Sequence, residues 1–561
     1  MSSYIAADLL VDSLVSHGVD RIFCVPGESY LSVLNSLAVK KSIDVITARH
    51  ESGAGFMALA DSKLTGRPGV CFVSRGPGAT NASIAIHTAE QDALPLVVFV
   101  GQVSRSDLGR RAFQEVDYVR AFSGIAKWVW QVSNADQLGE VLARAFQIAQ
   151  SPMPGPVVIV LPEDMLEDAV SIDSLIQPLP HPKTGADSSL CELVLKLISK
   201  ANRPLIIAGQ SLNTVTGRKE LEKLASLIEL PVAVTFRQQD LLANDHPSYA
   251  GHMYFNAPKS IISALAESDL IVAIGTRLGD VATQGYTFPS SPVPKHRLIH
   301  IHEDPSQLGR NIAAEHVITA DPIAFCIQLA RMVSDKTPRH TVWRDRVVSI
   351  VRKLNEWSPK NATDGVVFGE VAVEMNKQLN KNAIVCLDAG NFSGWVQKHF
   401  CFKDERRMVA TIAGAMGSGV PSGVAASLRY PDRQVVVVVG DGGFLMTGNE
   451  LATACQFSAP VKIIVSDNGS FGTIRLHQEL RYPGITSATK LSNPNFLLWA
   501  KAFGAASFEI SSSEHIAPVL RKALAEPGPA LIWVKTSLNH ISAFTSLGEI
   551  TERQMKITTS Q

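Results

Sequence analysis

Residues 434–472 read QVVVVVGDGGFLMTGNELATACQFSAPVKIIVSDNGSFG. Val435 to Val439 form an unbroken β-branched run, the pattern of a strand buried on both faces of a parallel sheet. Gly440-Asp441-Gly442-Gly443 interrupts it, a helix is expected over 444–457, and a second apolar run at 461–465 ends in Asp467-Asn468-Gly469. In such a strand–helix–strand unit, ligands gather beyond the carboxyl ends of the strands, and Asp441 and Asn468 stand at two such ends. A carboxylate, an amide oxygen and a nearby main-chain carbonyl are hard donors that suit Mg²⁺, which completes its shell with phosphate oxygens. Gly440, Gly442 and Gly443 let backbone N–H groups approach those phosphates, and the positive end of a helix starting at Phe444 adds to the attraction. These residues predict a metal-bridged diphosphate. A ligand-free glycine turn is the competing reading of GDGG taken alone.

The same alternation of strand, turn and helix extends along the chain. At 561 residues it has length for two to four domains, and 46% hydrophobic with 19% charged residues describes a globular protein with ample core. Three α/β blocks are expected at 1–167, 190–335 and 365–545, each a doubly wound parallel sheet, and their similar size suggests related domains. Strands are predicted at 21–25, 43–47, 70–74, 96–101 and 157–161, then at 204–208, 231–235, 270–274 and 298–302. The third block has them at 384–387, 435–439, 461–465 and 530–534. The Pro- and Ser-rich stretch 166–189 reads as a linker. The 52 basic and 52 acidic residues cancel, which points away from nucleic acid and from anionic membrane surfaces. Seven scattered cysteines include no C-x-x-C pair, so no zinc or disulfide framework is indicated and a reducing compartment fits. The first twenty residues carry acids among their apolar positions, unlike a signal peptide, and no apolar run reaches membrane-spanning length. A soluble, cytoplasmic protein is expected.

GDGG followed, one helix and one strand later, by Asp467-Asn468-Gly469 resembles the motif of the thiamine diphosphate-dependent enzymes, with Asp467 in place of the first Asn of their usual pair. The resemblance implies Mg²⁺ ligands at Asp441, Asn468 and the carbonyl of Ser470. It extends to Thr47-Ala48-Arg49-His50-Glu51-Ser52-Gly53-Ala54, where it implies that Glu51 hydrogen-bonds the cofactor's aminopyrimidine ring and so drives proton removal from thiazolium C2. Read without the resemblance, Glu51 is a first-turn acid complementing a helix dipole. In Ile412-Ala413-Gly414-Ala415-Met416-Gly417-Ser418-Gly419 the resemblance makes Met416 the apolar prop beneath the thiazolium and Gly414 the carbonyl that binds the pyrimidine amino group. Asn391 and Phe392 fall where family members contact the diphosphate; a plain Asn turn is the alternative.

The likeness is to the acetolactate synthase-like branch. It is carried by SRGPGATNA (74–82), by RAFQEVDYVRAFSGIAKWVW (111–130) and, in the second block, by residues 201–211 and GTRLGD (275–280). It implies that Gln114 and Lys127 face the reacting centre or a neighbouring cofactor; alternatively both are ordinary polar helix residues. Three departures bear on the reaction. Glu28 follows Gly27 where acetolactate synthases usually have a second Gly and pyruvate decarboxylases an Asp. An acid there favours protonation of the substrate carbon after CO₂ loss, whereas a small residue leaves room for a second carbonyl compound; capping of a helix over 29–37 is the structural alternative. Arg110-Arg111 lies near the place of the decarboxylases' His pair. His477 takes the place of the tryptophan that selects the acceptor oxo acid, and either binds a carboxylate, relays a proton or is a solvated helix residue. GTRLGD and HIHEDPSQLGRN (300–311) resemble the region that holds FAD in some relatives. The turn 208–211 has fewer glycines than that of flavin binders, which weighs against FAD. The expected activity is decarboxylation of a small-molecule 2-oxo acid, with possible carboligation. The alternatives are a 2-hydroxy ketone lyase like benzaldehyde lyase, an FAD-linked oxidase and a non-catalytic cofactor-binding relative. The family builds each site from block one of one chain and block three of another, which implies a homodimer or homotetramer with sites at the chain interface.

Overall fold

The computed structural model describes residues 4–255 and 257–559. Its strands form three six-stranded sheets, and all their pairings are parallel. The first contains β1 (Arg21–Cys24), β2 (Asp44–Thr47), β3 (Gly69–Val73), β4 (Leu96–Gln102), β5 (Trp128–Gln131) and β6 (Pro156–Pro162), in the order β2-β1-β3-β4-β6-β5. The second contains β7 (Pro204–Ala208), β8 (Val232–Val234), β9 (Tyr249–His252), β10 (Leu270–Ile274), β11 (Arg297–His302) and β12 (His316–Thr319), in the order β12-β11-β10-β7-β8-β9. The third contains β13 (Ile384–Leu387), β14 (Arg407–Ala410), β15 (Val435–Gly440), β16 (Lys462–Asp467), β17 (Ala506–Ile510) and β18 (Ala530–Lys535), in the order β14-β13-β15-β16-β18-β17. Interleaved helices cover these sheets, as expected for strands that read as continuous apolar runs.

The first and third sheets are wound identically, whereas the middle sheet follows the order found in dinucleotide-binding folds. Similar block size therefore hid two topologies. Winding direction reverses between β1 and β3 in the first sheet and between β13 and β15 in the third. A crevice opens at each such reversal, outside the carboxyl ends of the strands. The loops at these ends are 25–27 and 74–76 in one case, and 388–391 and the Gly440 turn in the other. At the first crevice the two loops interlock, since a Cβ on Gly27 would lie 2.6 Å from that of Ser74.

The Val435–Val439 run is fully buried, as its composition requires. Its following helix begins at Asp441, three residues before the expected start, and spans Asp441–Thr447; a 3₁₀ turn at Gly448–Glu450 precedes a second helix, Leu451–Gln456. The glycines read as a turn because they are poor helix formers, but here Gly442 and Gly443 occupy the first helical turn, where Gly442 N donates to Asp441 Oδ1 at 2.9 Å. The segment after Gly27 is likewise a 3₁₀ turn, Glu28–Tyr30, leading into the helix Leu31–Lys40.

The first and third sheets are joined through the helices Glu51–Thr65 and Gly419–Arg429. Phe56, Ala60, Val420 and Val424 share one core, and Arg429 bonds both Asp61 and Asp20. Glu450, fully buried, reaches across from the third unit. It accepts hydrogen bonds from the backbone N–H of Arg49 and His50 and from Thr453 Oγ1 at 2.6–3.2 Å. A Cβ on Gly53 would fall 2.2 Å from its Oε1, which explains the glycine there. Glu450→Ala is expected to destabilise the protein by about 3 kcal/mol, since it strands buried donors; a lower thermal unfolding midpoint with cofactor absent checks this.

Candidate active site

At the third sheet's crevice, residues from the ends of β15 and β16 converge on one backbone amide. Ser470 N donates to Asp441 Oδ2 at 3.2 Å and to Asn468 Oδ1 at 3.1 Å. The three residues named as Mg²⁺ ligands are thus mutual neighbours. Asp441 is 3% exposed, and burial, with the nearby Asp467 carboxylate second to it as a raising influence, pushes its carboxyl up to about 7. Asp467, the departure from the usual motif, is held by Gly469 N at 3.0 Å and Trp533 Nε1 at 2.8 Å. Asn493 Nδ2 bridges the pair, donating to Asp441 Oδ2 and Asp467 Oδ1 at 2.8 Å each, while its own buried Oδ1 has no hydrogen-bond partner among the described residues. Two crowded carboxylates and an unpartnered amide oxygen form an environment that a dication relieves, so the donor set fits Mg²⁺. Asn493 carries no motif or periodicity signal that would single it out in the sequence.

Aromatic rings shape the glycine turn. A Cβ on Gly440 would lie 3.0 Å from the Phe392 ring, and one on Gly442 would lie 2.6 Å from the Phe471 ring. The backbone there remains open to a ligand only because side chains are absent. Asn391 is drawn to the same crevice. Its N–H donates to Thr473 Oγ1 at 3.1 Å, and its Oδ1 accepts from that hydroxyl at 3.1 Å. Asp388, fully buried and raised by that burial to about 6, accepts from the N–H groups of Ala389, Gly417 and Gly419. It thereby fixes the loop that presents Gly414, exposed with φ +68°, and the half-buried Met416. Asp388 carries no motif signal, because Gly417 and Gly419, which donate to it, lie a helix and a strand away along the chain.

At the first sheet's crevice the turn 74–76 and the start of the helix Pro77–Gln91 gather the remaining residues. Glu51 begins its helix, as expected; its Oε2 accepts from Asn81 Nδ2 at 3.0 Å, and its Oε1 lies 3.2 Å from where a Cβ on Gly78 would be. Gln114, at φ +62°, packs its Cβ and backbone against Gly76, and is not in a helix. Glu28 makes no capping bond to the segment it begins; Arg75 Nη2 donates to its Oε1 at 2.7 Å. Lys127 departs from the expectation. Its ammonium donates to the carbonyls of Ile148, Ser151 and Met153 and to Ser151 Oγ at 2.7–3.2 Å, so it staples the 148–153 loop rather than facing a reacting centre.

Among the described residues the partners of Glu51 and those of Asp441 share no member, and the two carboxylates belong to different crevices. A cavity of about 1430 Å³ opens from the middle sheet's crevice toward the third unit, lined among others by Thr276, Arg237, Asn391, Gly414 and His477. His477, exposed on the helix Gly472–Arg481, therefore faces the same space as Asn391 and Gly414. Arg237 is 3% exposed, with Nε and Nη1 lacking hydrogen-bond partners.

Comparison with known proteins agrees with this geometry. The models of the thiamine pyrophosphate enzyme N-terminal TPP binding domain, central domain and C-terminal TPP binding domain match residues 5–121, 191–329 and 388–534. The acetolactate synthase large subunit of Parasynechococcus marenigrum is 32% identical, over 94% of this chain and 86% of its own. Acetolactate synthase isozyme 1 large subunit of Escherichia coli is 32% identical over 95% and 94%, and a probable acetolactate synthase large subunit of Methanocaldococcus jannaschii 30% over 94% and 91%. The chain belongs to the thiamine pyrophosphate enzymes, in their acetolactate synthase-like branch.

Proposed function

We propose that the protein is a thiamine diphosphate- and Mg²⁺-dependent enzyme that decarboxylates a 2-oxo acid and passes the remaining acyl unit to a proton or to a second carbonyl compound. The observation that carries this reading is the convergence of Asp441 and Asn468 on the Ser470 amide beside a second, half-buried carboxylate. Asp441, Asn468 and the Ser470 carbonyl would hold the metal, and the open backbone at Gly440, Gly442 and Gly443 the diphosphate, with Asn391 and Phe392 beside it. Gly414 and Met416 would seat the two rings. When bound, the cofactor supplies a nucleophilic carbon and an electron sink. Glu51 would bond the pyrimidine ring from the opposite crevice, with Gln114 close by against Gly76; Glu28 and His477 would handle the substrate's proton and carboxylate.

Glu51 of one copy and Asp441 of another would bring the two half-sites together in a homodimer or homotetramer. Ile84, Phe113 and Met446 expose apolar side chains on the elements that carry them, which supports such a contact. We read the three sheets as pyrimidine-binding, central and diphosphate-binding domains bounded at 1–167, 190–335 and 365–545.

The test is a panel of 2-oxo acids, 2-hydroxy ketones and acyl-CoA compounds, with and without acceptor aldehydes, with CO₂ and products read by mass spectrometry. Thiamine diphosphate-dependent CO₂ release from a 2-oxo acid is expected. Cleavage of 2-hydroxy ketones alone would assign a lyase, and no turnover of any donor would assign a non-catalytic relative. Glu28→Gly is expected to move product from aldehyde to ligated ketone about two- to fivefold; an unchanged ratio removes Glu28 from the proton step. Flavin is left out because of the glycine-poor turn at 208–211. The central cavity has room for a nucleotide, so a flavin band in the purified protein would reverse that choice and bring the oxidase reading forward.

A further inference from the structure

Arg75 is a buried cation whose two ends hold two different carboxylates. Nη2 donates to Glu28 Oε1 and Nη1 to Glu163 Oε2, each at 2.7 Å, and Ser104 Oγ donates to the other oxygen of Glu163 at 3.2 Å. The Arg75 residue is 8% exposed, while the Glu28 side chain is 70% exposed. The anchor is thus fixed in the protein and its captive carboxylate stands in the crevice. The backbone is tied into the same knot. Arg75 N donates to Ser29 Oγ at 3.3 Å, and the Gly27–Ser74 approach leaves no space for a side chain between the two loops. Among the described residues the Glu28 carboxylate has Arg75 as its hydrogen-bond partner, so the guanidinium rather than a helix cap directs it.

We propose that Arg75 is the positioning residue for Glu28: its guanidinium, braced by Glu163, selects the one orientation in which the Glu28 carboxylate faces the reacting carbon, and so sets the division between proton delivery and carboligation. A pair with one partner exposed adds little to stability, yet a planar guanidinium imposes direction on each of its two acceptors. A carboxylate that must pass a proton from solvent water to one atom needs that direction more than it needs affinity. This proposal rests on the role assigned to Glu28 above. It adds a residue that lies within the SRGPG turn but touches neither the proposed metal ligands nor Glu51.

Two measurements test it in the full-length protein. The first is carbodiimide–amine labelling of carboxylates, read at Glu28 by peptide mass spectrometry without substrate or cofactor. Labelling of Glu28 is expected to rise about two- to fivefold in Arg75→Met as the carboxylate is released, with little change at distant exposed carboxylates; an unchanged rate at Glu28 overturns the clamp. The second is the ratio of aldehyde to ligated product in wild type, Arg75→Met, Glu28→Gly and the double variant. Arg75→Met is expected to shift the ratio in the direction of Glu28→Gly, and to add less than about twofold once Glu28 is gone. Equal shifts in both backgrounds, or none in either, overturn the positioning role. If Arg75→Met does not fold, Arg75→Lys keeps the charge but loses the fork. It should then give intermediate labelling and an intermediate ratio, and wild-type values for both overturn the proposal. A wild-type protein that turns over no 2-oxo acid defeats the function proposed for Glu28, while the clamp still stands or falls on the labelling.

Discussion

Asp441→Ala is expected to lose Mg²⁺-dependent retention of thiamine diphosphate, with affinity falling about a hundredfold or more. The substitution removes a proposed metal ligand and also the shared acceptor that aligns Ser470 N and Asn493 Nδ2. Cofactor remaining on the protein after gel filtration in Mg²⁺ buffer, measured against wild type, reads this directly. Full retention would sink the metal assignment. The same carboxylate predicts a pH dependence. Burial raises Asp441 from its ordinary 3.8 to about 7, so the folded, cation-free protein holds a proton there that the unfolded chain has lost. That contribution to stability is present at low pH and fades as pH rises through about 7. A dication takes the proton's place only where the carboxylate is ionised. The increase in unfolding temperature on adding Mg²⁺ and cofactor should therefore be larger near pH 8 than near pH 6. An equal increase at both would count against Asp441 as the group that the metal displaces a proton from.

Glu51→Gln should have the opposite signature: cofactor retained, chemistry stopped. The geometry divides the labour of the two carboxylate oxygens. Oε2 is engaged by Asn81 Nδ2, and Oε1 looks toward the space above Gly78, where a side chain would block it. Oε1 is the atom we assign to the pyrimidine ring of the cofactor. An amide keeps the size and much of the packing but cannot bear the charge or exchange a proton with the ring. C2 hydrogen–deuterium exchange in the bound cofactor, followed by NMR after acid quench, is expected to slow about 10²- to 10⁴-fold. Exchange at the wild-type rate would return Glu51 to its alternative role as a first-turn acid. Reading the two variants together separates the half-sites, because loss at Asp441 acts on occupancy and loss at Glu51 on proton transfer within a bound complex.

The parts legible in the sequence share a property: their signal is local. Val435 to Val439 and the other central strands are apolar runs between turn residues, and their burial follows from composition. All thirteen expected strands are present, and five more appear: β5, β9, β12, β14 and β17. Every one of the five lies at a sheet edge. WVWQ and ASFEI face solvent on one side and lack the continuous apolar pattern. The Arg407–Ala410 edge strand is buried, but by the neighbouring unit, where Arg407 Nε meets Asp240 Oδ2 at 2.7 Å. Its first residue reads as solvated until its partner is known. The same limit applied to Lys127. Nothing around it in the sequence reveals the three carbonyls that hold its ammonium.

By itself, then, the sequence determined the fold class and the family, and it singled out Asp441, Asn468 and Glu51 as candidates, because they stand in motifs whose meaning depends on residue type and short spacing. Only the tertiary structure decided how those residues are held. It showed that the outer sheets share a winding that the central sheet does not, that Asn493 ties Asp441 to Asp467, and that Asp388 fixes the Gly414–Met416 loop. It also placed Glu28 in the grip of Arg75. The physical reason is range. Strand propensity and turn chemistry act over a few residues, whereas these pairings join side chains from separate loops that meet only after two parallel strands have brought their carboxyl ends to a common crevice.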